Sequence, residues 1–213
     1  MKKTAIPLAK EGVPFICFSG FATLILALLA FDTAALLGLL CTGFVTFFFR
    51  DPSRIIPEEH NAVVAPADGK IILVEETEDP RFAEGRMVKI SIFMDVFSVH
   101  VNRIPYGGVV ERISHQPGKF YSADKNKAAL HNEYCALTIR TDTGLEYVVV
   151  QVAGLIARRI VCWAERGDRV QPGQRYGLIR FGSRIDIYLP LETRIEVSKG
   201  QKVRAGETKL GIL

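Results

Sequence analysis

The stretch Gly177-Leu178-Ile179-Arg180-Phe181-Gly182-Ser183-Arg184-Ile185-Asp186-Ile187-Tyr188-Leu189-Pro190 decides how this chain is read. Residues 176–181 and 185–189 are short and rich in Ile, Leu and Tyr. Both runs read as strands. Between the two runs stands a Gly-Ser step. Glycine offers an unhindered carbonyl and tolerates unusual backbone angles. Serine offers a hydroxyl that can attack that carbonyl. A chain built this way can cut itself at the step and leave a carbonyl group at the new N-terminus.

Working outward, residues 70–75, 87–93, 136–140, 146–152, 160–163 and 194–198 are further short runs rich in Ile, Val and Tyr, punctuated by Gly, Pro and Asp. Many short strands at this spacing predict a sandwich or barrel. No long amphipathic helix is expected after residue 50; 122–130 reads as a short helix or a loop. Gly167-Asp168-Arg169-Val170-Gln171-Pro172-Gly173 returns 33 residues later as Gly200-Gln201-Lys202-Val203-Arg204-Ala205-Gly206. Gly-x-x-Val-x-x-Gly marks a turn into a strand, its glycines supplying positive φ. The pattern resembles the barrel-sandwich hybrid fold of lipoyl and biotinyl carrier domains. Ala65-Pro66-Ala67-Asp68-Gly69-Lys70-Ile71 looks like another tight turn of that architecture. No lysine stands in a Met-Lys-Met or Asp-Lys-Ala hairpin, so a lipoyl or biotin attachment site is not supported.

The N-terminal part is of another kind. Between Val13 and Phe49 the only charge is Asp32. Residues 13–31 and 34–49 would be helices of about 28 and 24 Å, slightly short of a hydrocarbon core of roughly 30 Å. Pro14 suits a helix start, and Asp32 or Thr33 can cap the second helix. Lys2, Lys3 and Lys10 precede this hairpin; Arg50 and Arg54 follow it. Cations at both ends favour placing both ends in the cytoplasm. The apolar stretch is too long for a cleaved signal peptide, and too apolar all round for a hairpin lying on a soluble core. The expected organisation is a membrane-associated hairpin over 1–50 and a mostly β, barrel-sandwich-hybrid-like catalytic domain over 51–213. Asp51-Pro52-Ser53-Arg54-Ile55-Ile56-Pro57 reads as the linker.

The formal net charge of +4 is mild for a chain of 213 residues, and no nucleic-acid partner is expected. Cys17, Cys41, Cys135 and Cys162 are far apart, form no C-x-x-C pair and read as free thiols. The histidines, His60, His100, His115 and His131, show no metal-ligand spacing with carboxylates, so no metal is expected. The candidates for chemistry beside Gly182 and Ser183 are three. Asp68 lies in the Pro66-Ala67-Asp68-Gly69 turn. His100 lies in Phe97-Ser98-Val99-His100-Val101-Asn102-Arg103. His115, in Ser114-His115-Gln116-Pro117-Gly118, reads as a loop residue at a surface or a site rim.

The Pro-Ala-Asp-Gly turn, the His-Val-Asn-Arg run and the Arg-Phe-Gly-Ser-Arg segment together resemble the phosphatidylserine decarboxylases in their short bacterial form. The likeness covers nearly the whole chain. Longer members read Leu-Gly-Ser-Thr at the cleavage point; here Phe181 and Arg184 replace the outer two. Longer members also carry two histidines where this chain has His100, with Arg103 near the second position.

The resemblance implies a pyruvoyl cofactor made from Ser183. Ser183 Oγ attacks the Gly182 carbonyl, with Asp68 and His100 assisting as base and orienter. The resulting ester breaks by β-elimination, and residue 183 becomes pyruvoyl. The products are a β chain of residues 1–182 and an α chain of residues 183–213, which stay associated. In turnover the serine amine of phosphatidylserine forms a Schiff base with the pyruvoyl group, carbon dioxide leaves, and phosphatidylethanolamine is released. His100 protonates the α-carbon or positions the carboxylate. Eight arginines against four acids over 158–194 suit an anionic membrane surface. Self-association of subunits is compatible with the same reading. The alternative is a membrane-anchored, carrier-like adaptor without catalysis. A serine hydrolase at Ser183 would lack its Gly-x-Ser-x-Gly elbow.

Overall fold

The computed structural model describes residues 7–82, 85–118, 132–154, 160–180 and 183–213. Of the positions singled out above, Lys2, Lys3, His131, Phe181, Gly182 and the segment 122–130 lie outside them. The chain divides into two compact units, Met1–Ser53 and Arg54–Leu213.

The first unit is a helical hairpin. A 3-10 turn, Lys10–Gly12, leads into α1 (Val13–Leu28), and α2 spans Asp32–Phe48. Pro14 sits in the first turn of α1, where its missing N–H costs nothing. Asp32 lies inside the first turn of α2 and Phe31 takes the cap position without a side-chain bond, so neither Asp32 nor Thr33 caps as expected. The helices meet through small residues, as apolar helices do where backbones must approach. Thr23 and Thr42 hydroxyls lie 3.3 Å apart. A Cβ on Gly38 would stand 2.6 Å from Thr23 Oγ1. Phe18, Phe21, Leu28, Leu37 and Leu40 point outward. Lys10–Leu28, with 19 residues and mean hydropathy 1.8, is long and apolar enough to cross a membrane; α2 falls short of that length.

The second unit is mostly β. Its largest sheet has eight antiparallel strands curled into a half-barrel. From edge to edge they are β13 (Lys202–Val203), β2 (Gly69–Glu78), β3 (Arg86–Met94), β11 (Ser183–Leu189), β7 (Glu146–Ala153), β6 (Tyr134–Arg140), β5 (Gly108–Gln116) and β9 (Arg169–Val170). Two three-stranded sheets complete it. One holds β4 (Val101–Arg103), β10 (Arg175–Ile179) and β8 (Ile160–Cys162), with β10 in the middle. The other holds β1 (Ala62–Val64), β14 (Lys209–Ile212) and β12 (Arg194–Ile195), with β14 in the middle. Ile90, Ile92, Val149, Ile185 and Ile187 pack on the inner face of the large sheet. Each such burial contributes roughly 1.5–3 kcal/mol.

The heptapeptide repeat is visible as geometry. Gly167 and Gly200 have φ of 91° and 96°, and Gly173 and Gly206 both have 75°. Each copy delivers a two-residue strand, β9 or β13, to opposite edges of the large sheet. Gly206 N–H donates to Ala65 O and Gly173 N–H to Ile104 O, both at 2.8 Å. Arg103 N–H donates to Pro66 O and Val64 N–H to Pro105 O, both at 2.9 Å. Side chains are excluded where β2 and β5 begin. A Cβ on Gly69 would lie 2.2 Å from Phe93 O, and one on Gly108 would lie 2.3 Å from Arg140 O.

Two readings need correction. His115 is not in a loop: it belongs to β5, in register with Cys135. The outward polar residues of β5 mask its strand pattern. The end of the supposed linker is not free either. Arg54 is buried against Asp68, and Ile56 Cδ1 lies where a Cβ on Gly173 would be, 2.1 Å away.

Candidate active site around Ser183

Ser183 heads β11 and stands in register with Met94 of β3 and Ala153 of β7. The preceding described strand, β10, belongs to a different sheet. The Gly-Ser step therefore falls where the chain passes from one sheet to the other. Period-2 alternation turns Ser183 inward with Ile185 and Ile187, and it is fully buried.

Its hydroxyl has a weak partner. Oγ lies 3.9 Å from Met94 Sδ, and a thioether is a poor acceptor. The same sulfur is 3.6 Å from Asn102 Nδ2 on β4. Asn102 Oδ1 accepts from Gln151 Nε2 of β7 at 2.8 Å. Asn102 and Gln151 are both wholly buried. Gln151 Oε1 is buried with no hydrogen-bond partner among the described residues. Gly177 of β10 leaves room for this amide: a Cβ there would stand 2.9 Å from Gln151 Nε2.

The residues expected at the site are placed unequally. His100 is buried at 2% exposure, and its Nδ1 lies 3.0 Å from Ser98 O. A carbonyl can only accept, so the ring donates Nδ1–H and its orientation is fixed. The His100 carbonyl accepts from Ile179 N–H at 3.4 Å. His100 thus borders the end of β10 and stands two residues before Asn102. Asp68 is committed elsewhere. Arg54 Nη2 donates to its two oxygens at 2.9 and 2.8 Å, and Ala205 N–H donates to Oδ1 at 2.8 Å. Neither Ser183 nor His100 is among its described partners. His115 is half exposed, with Nε2 3.4 Å from Glu133 Oε1. Gly182 lies outside the described residues. Among the described residues no cluster of three or more His, Cys, Asp or Glu could hold a metal ion.

The reverse face of the same strand is ionic. Arg184 Nε lies 2.8 Å from Asp186 Oδ1, and Lys89 Nζ 3.4 Å from Asp186 Oδ2. All three residues are buried. Arg184 is therefore no surface cation for head groups. Sequence reasoning missed Asn102 and Gln151. The one available signal was a polar residue inside an apolar strand run, at Val101-Asn102 and Val150-Gln151-Val152.

Fold and site define a class: a β-sheet protein with a wholly buried serine at the head of a central strand, joined to an apolar helical hairpin. Comparison with known proteins gives the family. The family model described as phosphatidylserine decarboxylase matches residues 41–211. A phosphatidylserine decarboxylase proenzyme of Desulfotalea psychrophila is 54% identical over 211 residues, 99% of each chain. Proenzymes of the same name from Geotalea uraniireducens and Geobacter sulfurreducens are 52% and 50% identical, each alignment covering both chains in full. This chain belongs to the phosphatidylserine decarboxylase family. It is an enzyme, and the non-catalytic carrier-like reading falls.

Proposed function

We propose that the chain converts phosphatidylserine to phosphatidylethanolamine and carbon dioxide, using a carbonyl group made from its own Ser183. The observation that carries this reading is the state of that serine. It is fully buried at a junction between sheets, and its hydroxyl rests on a thioether. A serine with a purely structural task would be expected to bond a carbonyl or an amide.

Maturation proceeds in the chain itself. Ser183 Oγ bonds to the Gly182 carbonyl carbon, the Gly182–Ser183 C–N bond breaks, and the hydroxyl proton passes to the nitrogen. The ester then loses the Cα proton of residue 183 and expels the Gly182 carboxylate. Water hydrolyses the dehydroalanine left behind to a ketoacyl group and ammonia. His100, with its ring fixed by Ser98, moves protons here, as histidine can near neutral pH. Asp68 is held at the neighbouring turn by Arg54 and by the Ala205 N–H.

A ketoacyl cap supplies the electron sink that decarboxylation of an amino acid requires. The residues present fit it: the cap takes no more room than the serine, and the buried Asn102 amide, held by Gln151, meets the same Met94 sulfur as the serine hydroxyl. Exclusion of water by the inner face favours loss of carboxylate charge from the substrate. Residues 183–213 stay with the remainder because β11 pairs along its length with both β3 and β7. The apolar α1 anchors the enzyme at the membrane that holds its lipid substrate, with the β unit on the cytoplasmic face.

Denaturing electrophoresis and intact mass test the reading. The purified protein is expected to run as two chains, 1–182 and 183–213, the smaller blocked at its N-terminus. Ser183→Ala is expected to remain one chain without activity. An active preparation that is a single polypeptide with serine intact at 183 overturns the reading.

A further inference from the structure

We propose that Asn102 is the hydrogen-bond donor to the oxygen that becomes negatively charged as the chain cuts itself before Ser183, and that Gln151 is the positioning residue that holds it there. The inference rests on the self-cleavage reading above and deepens it.

Two donors converge on one weak acceptor. Ser183 Oγ and Asn102 Nδ2 both approach Met94 Sδ, at 3.9 and 3.6 Å. Neither is well satisfied in the resting chain, although both residues are wholly buried. Attack of the serine oxygen on the adjacent carbonyl places negative charge on an oxygen bonded next to residue 183. An N–H that has only a thioether to lose gains most by turning to that oxygen, because a hydrogen bond to a charged acceptor is much stronger. An interaction poor at rest and strong at the barrier accelerates a reaction, whereas one strong in both states does not.

The direction of the amide is built in. Gln151 Nε2 donates to Asn102 Oδ1 at 2.8 Å. With its oxygen held on one side, the planar amide must present Nδ2 on the other, toward Met94 and Ser183. Gly177 keeps the space for Gln151: a Cβ there would meet Val161 O at 2.2 Å as well as Gln151 Nε2 at 2.9 Å. The pair thus joins three strands, β4, β7 and β10, at the point where the serine enters the core. A polar pair kept only for packing has no need to aim its N–H at a sulfur shared with the reacting hydroxyl.

The test uses the full-length chain, followed from synthesis by denaturing electrophoresis, with thermal unfolding to check the fold. Asn102→Leu keeps the volume and removes the donor; it is expected to slow splitting about a hundredfold, as loss of one oxyanion donor does. Gln151→Met leaves Asn102 in place but unheld and is expected to slow splitting roughly tenfold, part of the same donor effect. Hydroxylamine, which cleaves esters, should release no extra fragment from Asn102→Leu, because the block precedes the ester. Wild-type splitting rates in a folded Asn102→Leu, or ester that accumulates in it, overturn the proposal. Should Asn102→Leu fail to fold, Gln151→Met decides: the slow rate upholds the proposal and the wild-type rate overturns it. A wild-type chain that never splits sinks the self-cleavage reading itself, which these variants leave untouched.

Discussion

From edge to centre, one half of the eight-stranded sheet runs β13, β2, β3, β11 and the other runs β9, β5, β6, β7. Each half opens its long edge hairpin on a glycine that admits no side chain, Gly69 or Gly108. Each receives a short strand from one copy of the Gly-x-x-Val-x-x-Gly repeat, and Pro66 and Pro105 accept matching hydrogen bonds. Their chemistry differs. The first half has Asp68 before its glycine, tied to Arg54, where the second has Gly107. On the outer face the first half buries Lys89, Arg184 and Asp186, whereas the second buries Ala136, Val148 and Val150. The first half alone carries Ser183. A backbone used twice leaves one copy to serve as frame and lets the other hold buried charge and the serine of the proposed site.

The comparison is open to attack where the halves differ most. Asp186→Asn takes the carboxylate away from buried Arg184 and Lys89 and is expected to cost about 3–5 kcal/mol. Urea unfolding in a Ser183→Ala background, where the chain stays whole, measures it. A cost below about 1 kcal/mol, the scale of a surface pair, would mean that the ionic face is not an anchor. Next come the matched glycines. Gly69→Ala and Gly108→Ala each force a Cβ onto a carbonyl oxygen and are each expected to cost about 1–3 kcal/mol. One harmless substitution beside one damaging one breaks the correspondence of the halves.

The smallest effect belongs to Asp79, just past β2. Burial pushes its carboxyl up, but the Arg81 hydrogen bond and charge, aided by Lys89, prevail and hold it below the ordinary value. A lowered carboxyl stabilises the fold above its unfolded value of about 3.9, and the gain is lost as pH falls through the folded value. Asp79→Asn is expected to cost less than about 1 kcal/mol at neutral pH. It should also flatten the acid side of the stability profile, as read by thermal unfolding against pH.

Much of this was legible in the residues. Ser183 stood out because it belongs to a Gly-Ser step between two strand-like runs, and β11 does begin at it. The positive-φ repeat predicted matching turns, and matching turns are present. The misses have physical causes. Arg184, one of the eight arginines read as suiting a membrane surface, is instead buried in β11, where it pairs with Asp186 beside Lys89. In β5 the exposed Glu111, Arg112, Ser114 and His115 hide a strand behind loop-like composition. Asn102 and Gln151 are 49 residues apart and meet only because β4 lies across β7. No local pattern encodes such a meeting. Arg54 read as a flanking cation because its partner, Asp68, is 14 residues on, in a turn whose shape depends on Ala205.

The last 31 residues, 183–213, thread through the molecule: β11 and β13 belong to the large sheet, β12 and β14 to the sheet shared with β1. The proposed break ahead of β11 would therefore make assembly a one-time event. Once separated by denaturation, the short piece has no hydrophobic interior of its own and the long piece has a gap at its middle. Restoring the enzyme would then require two partners to find one another in solution. On the self-cleavage proposed above, the architecture would have to be complete before the chain severs itself, and the order could not be reversed.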